Sequence, residues 1–226
     1  MLKYFINLFF PDVCAGCNAL LQTNESVICT HCRHEIPLTL HHKNSNNEAV
    51  GKFFGKIEIT FACAMMQFHK KGIVQQLIHK LKYKGNQEIG TVIGAWYAQD
   101  LKSLPVFKTI NYIIPVPLHP KKFKERGYNQ VSAFAQTLSA QLNIPYNDSI
   151  LVRNLYSKTQ TKKTIFARSE IVQNIFGVCF NENHHNKHFL LIDDVITTGS
   201  TLEACGRELL KIPGAKISIV CMAMSQ

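Results

Sequence analysis

Residues 189–201, "FLLIDDVITTGST", run an apolar strand into two adjacent carboxylates and then into five small residues, four of them hydroxylated. A strand this continuously apolar requires cover on both faces of its sheet, which points to a mostly parallel α/β arrangement. Open sheets of that kind bind ligands beyond the carboxyl ends of their strands, where these acids and hydroxyls fall. Gly199 permits a tight turn there. Ser200 followed by Glu203 reads as the capping box of a helix. The free N–H groups of Thr197, Thr198, Gly199, Ser200 and Thr201, together with the positive end of that helix's dipole, make an anion site suited to phosphate. Asp193 and Asp194, expected on the surface of the turn, cannot serve that phosphate. They suit vicinal hydroxyls, which donate hydrogen bonds, or a hydrated Mg²⁺. Phosphate and diol together describe a ribose 5-phosphate.

The rest of the chain supports the same class. Stretches 57–68, 111–117, 175–180, 188–193 and 216–224 read as strands, and 72–83, 88–103, 129–143 and 200–211 as helices. Val131, Phe134, Ala135 and Leu138 mark the buried face of the third helix. The alternation predicts a mostly parallel sheet flanked by helices over residues 51–226. "PVPLHPKKFKERGYNQ", 115–130, reads as a stiff turn leading into a basic one, and Arg126 beside Gly127 is placed to grip phosphate. Residues 153–170, rich in Lys and Thr, read as a basic loop, and "LHHKNSNNEAVG", 40–51, as a polar linker or loop.

Cys14 with Cys17 and Cys29 with Cys32 form two C-x-x-C pairs, the spacing of a Cys₄ zinc site. Residues 1–50 are accordingly expected to form a zinc-finger region and linker. His31 and His34 are alternative ligands beside the second pair. Four thiolates leave no open coordination position, so this zinc is read as structural. Cys63, Cys179, Cys205 and Cys221 sit singly in apolar runs, a pattern that suits a reducing compartment rather than a disulfide framework. His184, His185 and His188 suggest either a second metal cluster or a polar turn, and the turn is the commoner outcome.

The chain carries 25 Lys and Arg against 15 Asp and Glu, a net charge of +10 that favours a polyanionic partner: a phosphorylated small molecule, a nucleic acid or an anionic membrane surface. The apolar N-terminal "MLKYFINLFFPD" is too short to span a bilayer and has no small-residue cleavage site, so it is read as packing in a cytoplasmic protein, with peripheral membrane contact as the alternative. Lys80, Lys82, Tyr83 and Lys84 mix cation and aromatic as single-strand binders do, or form the wet face of a helix end.

"LLIDDVITTGST" resembles the phosphoribosyl pyrophosphate (PRPP) motif of type I phosphoribosyltransferases. With "LKYKGN" at 81–86, "PVPLHP" at 115–120, "KERGYNQ" at 124–130 and the four N-terminal cysteines, the chain resembles the ComF/GntX family, bacterial proteins linked to DNA uptake in natural transformation. The resemblance implies that Asp193 and Asp194 hold the ribose hydroxyls and residues 197–201 the 5-phosphate. Pro117, Leu118 and His119 take the place of the pyrophosphate loop, and 158–168 that of a loop that closes over PRPP. It implies Mg²⁺-assisted displacement of pyrophosphate, with Asp193, Asp194 and Arg126 as the catalytic set. The alternative is a non-catalytic, PRPP-responsive module that binds single-stranded DNA and works with the uptake machinery. Lys121, Lys122, Lys162 and Lys163 are the cations expected to flank the cleft. Ile171 stands where relatives commonly carry Asn, a departure that bears on the closing loop.

Overall fold

The computed structural model describes residues 11–154 and 175–225. Its centre is a four-stranded sheet of β1 (Phe61–Phe68), β2 (Tyr112–Pro115), β5 (His188–Ile196) and β6 (Lys216–Ser225), in the order β1-β6-β5-β2 with every pair parallel. Strands β3 (Leu151–Arg153) and β4 (Phe176–Val178) form a separate antiparallel pair. Irregular chain extends the sheet at both edges. Leu38 bridges Met66 antiparallel to β1, and Tyr146 bridges Ile113 parallel to β2.

Alternation along the buried strands creates two cores. Leu190, Ile192, Val220 and Met222 face one, while Phe189, Leu191, Ile217, Ile219 and Cys221 face the other. The first core is closed by α3 (Ile73–Tyr83), α4 (Glu88–Leu101) and α6 (Ser132–Leu142). The four residues expected on the inner face of α6 are fully buried. Helix α7 (Ser200–Leu209) closes the second core through Leu202, Cys205 and Leu209. Each apolar side chain fully buried in these layers is worth roughly 1.5–3 kcal/mol. Helices α4 and α6 approach closely because Gly90 and Gly94 lie at their crossing: a Cβ on Gly94 would stand 3.0 Å from the Thr137 Cβ and 3.1 Å from the Phe134 carbonyl oxygen.

Three short helices depart from the sequence reading. Helix α1 (Thr30–Glu35) starts at the second cysteine pair. Helix α2 (Glu48–Gly51), preceded by a 3₁₀ turn at His41–Lys43, lies in the stretch expected as linker or loop. Its anchor is the buried Asn47, whose Oδ1 accepts from Ala49 N and Val50 N while its Nδ2 donates to the carbonyls of His41, Asn44 and, across the sheet edge, Ala62 at 2.9 Å. Helix α5 (Pro120–Arg126) replaces the expected basic turn. Pro120 opens it without losing a hydrogen bond, because the first N–H groups of a helix have no partner inside it.

Candidate functional site

Strand β5 carries Asp193 and Asp194 to the carboxyl edge of the sheet, where Asp193 pairs in register with Cys221 of β6. On the other side Val116 N donates to Ile192 O at 2.9 Å, so the chain leaving β2 toward Pro117 departs beside the acids. After β5, Thr197 and Thr198 are exposed, Gly199 is buried, and Ser200 and Thr201 expose the first turn of α7. Gly199 has φ 79°, and a Cβ on it would meet the Phe53 ring at 3.1 Å, so both conformation and space require glycine. Gly199, not Ser200, is the N-cap of α7, and no side chain caps it. The expected capping box is absent because Ser200 Oγ pairs with Thr198 Oγ1 at 2.8 Å and Glu203 pairs with Arg207 at 2.8 Å. Gly199 itself offers no side-chain acceptor to the N-terminal amides of α7; Ser200 N makes a long bond of 3.4 Å to Thr198 Oγ1.

The two acids differ. Asp194 is only 6% exposed, which corrects the expectation of a surface turn carboxylate. Lys82 Nζ lies 3.0 Å from its Oδ1 and 3.0 Å from its Oδ2, and Gln130 Nε2 donates to Oδ2 at 2.8 Å. Gln130 Oε1 in turn accepts from Arg126 at 2.7 Å, and the Arg126 guanidinium lies 5.0 Å from the Tyr83 ring centroid. Asp193 accepts from the Asp194 amide at 2.8 Å. Enclosure of its carboxyl, followed by the charge of Asp194, pushes Asp193 up to about 8.

Three separated motifs meet here. From 81–84, the Leu81 carbonyl accepts from Tyr128, Lys82 holds Asp194, and Tyr83 stacks on Arg126. From 126–130, Asn129 Nδ2 donates to Val116 O at 2.9 Å, which ties the exit of β2 to the same cluster. Arg126 therefore reaches the acid pair through Gln130, not directly. Lys82 and Gln130 are the residues that the sequence reading did not assign to the acid pair. Pro117 and Leu118 are half-buried beside the acids, and His119 is exposed, its Nδ1 accepting from Lys121 N at the start of α5. Lys121, Lys122 and Lys124 are exposed on α5 around the half-exposed Phe123. Of the stretch 80–84, read as either a cation–aromatic cluster or the wet face of a helix end, Lys80 binds Cys14 O at 3.2 Å and Asn18 Oδ1 at 2.5 Å, Lys82 is committed to Asp194, and Tyr83 and Lys84 are exposed. The 158–168 loop, Lys162, Lys163 and Ile171 lie outside the described residues.

At the other end of α3, the sulfur atoms of Cys14, Cys17, Cys29 and Cys32 all lie within 4.8 Å of one another. Amides of Gly16 and Cys29 donate to Cys14 Sγ at 3.3 Å each, and the Cys32 amide donates to Cys29 Sγ at 3.4 Å. N–H groups aimed at sulfur favour thiolates, and the donor set fits a tetrahedral zinc ion. A Cβ on Gly16 would stand 2.8 Å from Cys32 Sγ, so the first knuckle closes only around glycine. His31 and His34 are not in the cluster. Nor do the other histidines gather: His184 Nδ1 accepts from Asn181 N in a turn, and His188 is buried between Thr109 and Ser218.

Comparison with known proteins gives matching results. A phosphoribosyl transferase domain matches residues 132–225. Competence protein F of Haemophilus influenzae is 27% identical over 220 residues, covering 93% of this chain and 96% of that protein. Competence protein ComFC of Bacillus subtilis is 25% identical over 210 residues, covering 90% of this chain and 81% of that protein. DNA utilization protein YhgH of Shigella flexneri is 26% identical over 149 residues, 65% of each chain. The matched domain and these alignments make the chain a homologue of competence protein F, ComFC and YhgH, with a phosphoribosyltransferase-type domain and an N-terminal cysteine cluster that fits a zinc finger.

Proposed function

We propose that this protein binds PRPP, or a related ribose 5-phosphate ligand, in the turn between β5 and α7. The observation that carries this reading is the amino end of α7, whose N-cap Gly199 supplies no side-chain cap, with Thr197, Thr198, Ser200 and Thr201 exposed along it, shortly beyond a carboxylate pair near the sheet's carboxyl edge. Phosphate is favoured by the helix terminus and diol by the carboxylates. Pro117, Leu118 and His119 leave β2 beside the same acids, where the pyrophosphate end of such a ligand extends. Arg126, held by Gln130 and Tyr83, adds positive charge on that side. Mg²⁺ bound with the ligand would supply charge neutralisation to the pyrophosphate. Asp193 and Asp194 orient the sugar, and transfer to an acceptor has room in a cavity of about 240 Å³ beside Pro117 that Phe123, Asn129, Tyr146 and Asp148 line. Residues 1–50 form the zinc-bearing part and 51–226 the PRPP-binding part of this reading, with Cys14, Cys17, Cys29 and Cys32 holding a structural ion.

A second reading takes the protein as a PRPP-responsive module that holds single-stranded DNA during uptake. It is favoured by the net charge of +10 and by Lys121, Lys122 and Lys124 exposed with Phe123 on one short helix. The names of the relatives, two of them competence proteins and one a DNA utilization protein, fit it.

Calorimetric titration of PRPP with Mg²⁺ into wild-type protein and Asp194→Asn tests the first reading. Loss of charge-assisted hydrogen bonds is expected to weaken binding by roughly 1–3 kcal/mol. Absence of binding to folded wild-type protein would reject it. Pyrophosphate release on addition of candidate bases and amines then separates a transferase from a binding module.

A further inference from the structure

Lys82, near the end of α3, reaches the acid pair. Its ammonium is equidistant from the two oxygens of Asp194, 3.0 Å from each, in the chelating position that a divalent cation takes on a carboxylate. Its side chain is 24% exposed and that of Asp194 8%, so water screens the contact little. The ammonium's position is fixed from behind. Tyr128 donates to the carbonyl of the preceding residue, Leu81, and the following residue, Tyr83, is stacked on Arg126. Two residues earlier, Lys80 ties the same helix to the cysteine knuckle. Gln130 also donates to Asp194 Oδ2, at 2.8 Å.

We propose that Lys82 is the built-in counter-ion of the acid pair: it positions Asp194 for the sugar and keeps divalent cations off the pair in the ligand-free protein. Its role toward the sugar rests on the PRPP reading, whereas exclusion of cations does not. Lys82 is a positioning residue, since it acts through Asp194. Its ammonium fills the chelating face with three donors and no acceptor, so a metal ion can reach Asp194 only by displacing it. The metal that accompanies the ligand is then held by the ligand's own phosphates.

The test uses the zinc-loaded full chain without PRPP and follows Mn²⁺ uptake by the loss of the free-ion electron paramagnetic resonance signal. Wild-type protein should take up no Mn²⁺ that depends on Asp194, and Lys82→Arg should behave like it. Lys82→Met should bind Mn²⁺ roughly ten-fold or more tightly than wild type, because a full positive charge has left a buried carboxylate. The double variant with Asp194→Asn should lose that gain. Lys82→Gln, neutral but still able to donate to Asp194, gives the same comparison with less disturbance of the fold. Mn²⁺ uptake by wild type that Asp194→Asn abolishes, or a folded neutral variant that binds no better than wild type, would overturn the proposal. Failure of wild-type protein to bind PRPP would instead reject the proposed function and leave the Mn²⁺ comparison to decide the role of Lys82.

Discussion

The two neighbouring aspartates are chemically unlike, and the difference follows from which way each points. Asp194 has a lysine and a glutamine on it, whereas Asp193 has one backbone amide and a like charge beside it. The folded-state value for Asp193, about 8, is raised from 3.8. A group raised in this way favours folding fully below its unfolded value and loses that contribution as pH rises through its folded value. Asp193→Asn removes the titration. The variant should therefore melt progressively higher than wild type as pH rises from 3.8 to about 8, with a constant gap above that window. A gap that does not change with pH would mean that Asp193 is an ordinary carboxylate. The acids and hydroxyls were legible in the sequence because strand, turn and helix there are consecutive. Lys82 was not, since it lies 112 positions from Asp194 and only the fold joins them. Gln130, 64 positions away, was hidden for the same reason.

Elements with a long period were legible, and elements made by tertiary contacts were not. Helices α3, α4, α6 and α7 fall within the stretches whose apolar spacing predicts them, because each buries a stripe against the sheet. Helix α2 has four residues and no stripe of its own. It depends on Asn47, which reaches the Ala62 carbonyl on β1, and such a contact has no signature in local sequence. Helix α5 reads as a turn in the sequence because of its prolines and lysines, yet His119 and Pro120 start it and Gly127, at φ 78°, ends it. The close crossing of α4 and α6 gives a prediction at this scale. Gly94→Val places branched carbon against Thr137 and the Phe134 carbonyl and should cost about 1–3 kcal/mol in denaturant unfolding. Gly51, a helical glycine where a Cβ would meet nothing within 4 Å, is the control for the same substitution without crowding. Equal loss at both sites would remove the packing argument.

At the scale of the whole molecule, the cysteine cluster and the sheet share one core. Cys14, Ala15, Ile28, Cys32 and Ile36 pack in the same cluster as Val74, Leu77 and Ile93, and Lys80 pins the first knuckle to α3. One zinc ion per chain is expected, and Cys29→Ser should lower both zinc content and the melting temperature of the entire fold, because a closed Cys₄ site folds only around its metal. Zinc content unchanged by that substitution would place the metal elsewhere. The basic surface gives a second expectation: neutralising Lys121, Lys122, Lys162 and Lys163 should weaken single-stranded DNA binding and flatten its salt dependence by roughly 0.7 for each phosphate that is no longer neutralised. Affinity insensitive to salt would exclude an electrostatic origin. The turn between β5 and α7 is proposed to hold the 5-phosphate of PRPP. Thr198 is exposed and lies outside the polar network of Lys82, Gln130 and Asp194, so Thr198→Trp would fill the proposed phosphate position and leave the acids and the core in place. Calorimetric titration of PRPP with Mg²⁺ into this variant, with circular dichroism matching wild type, should show no binding; affinity equal to that of wild type would contradict the account.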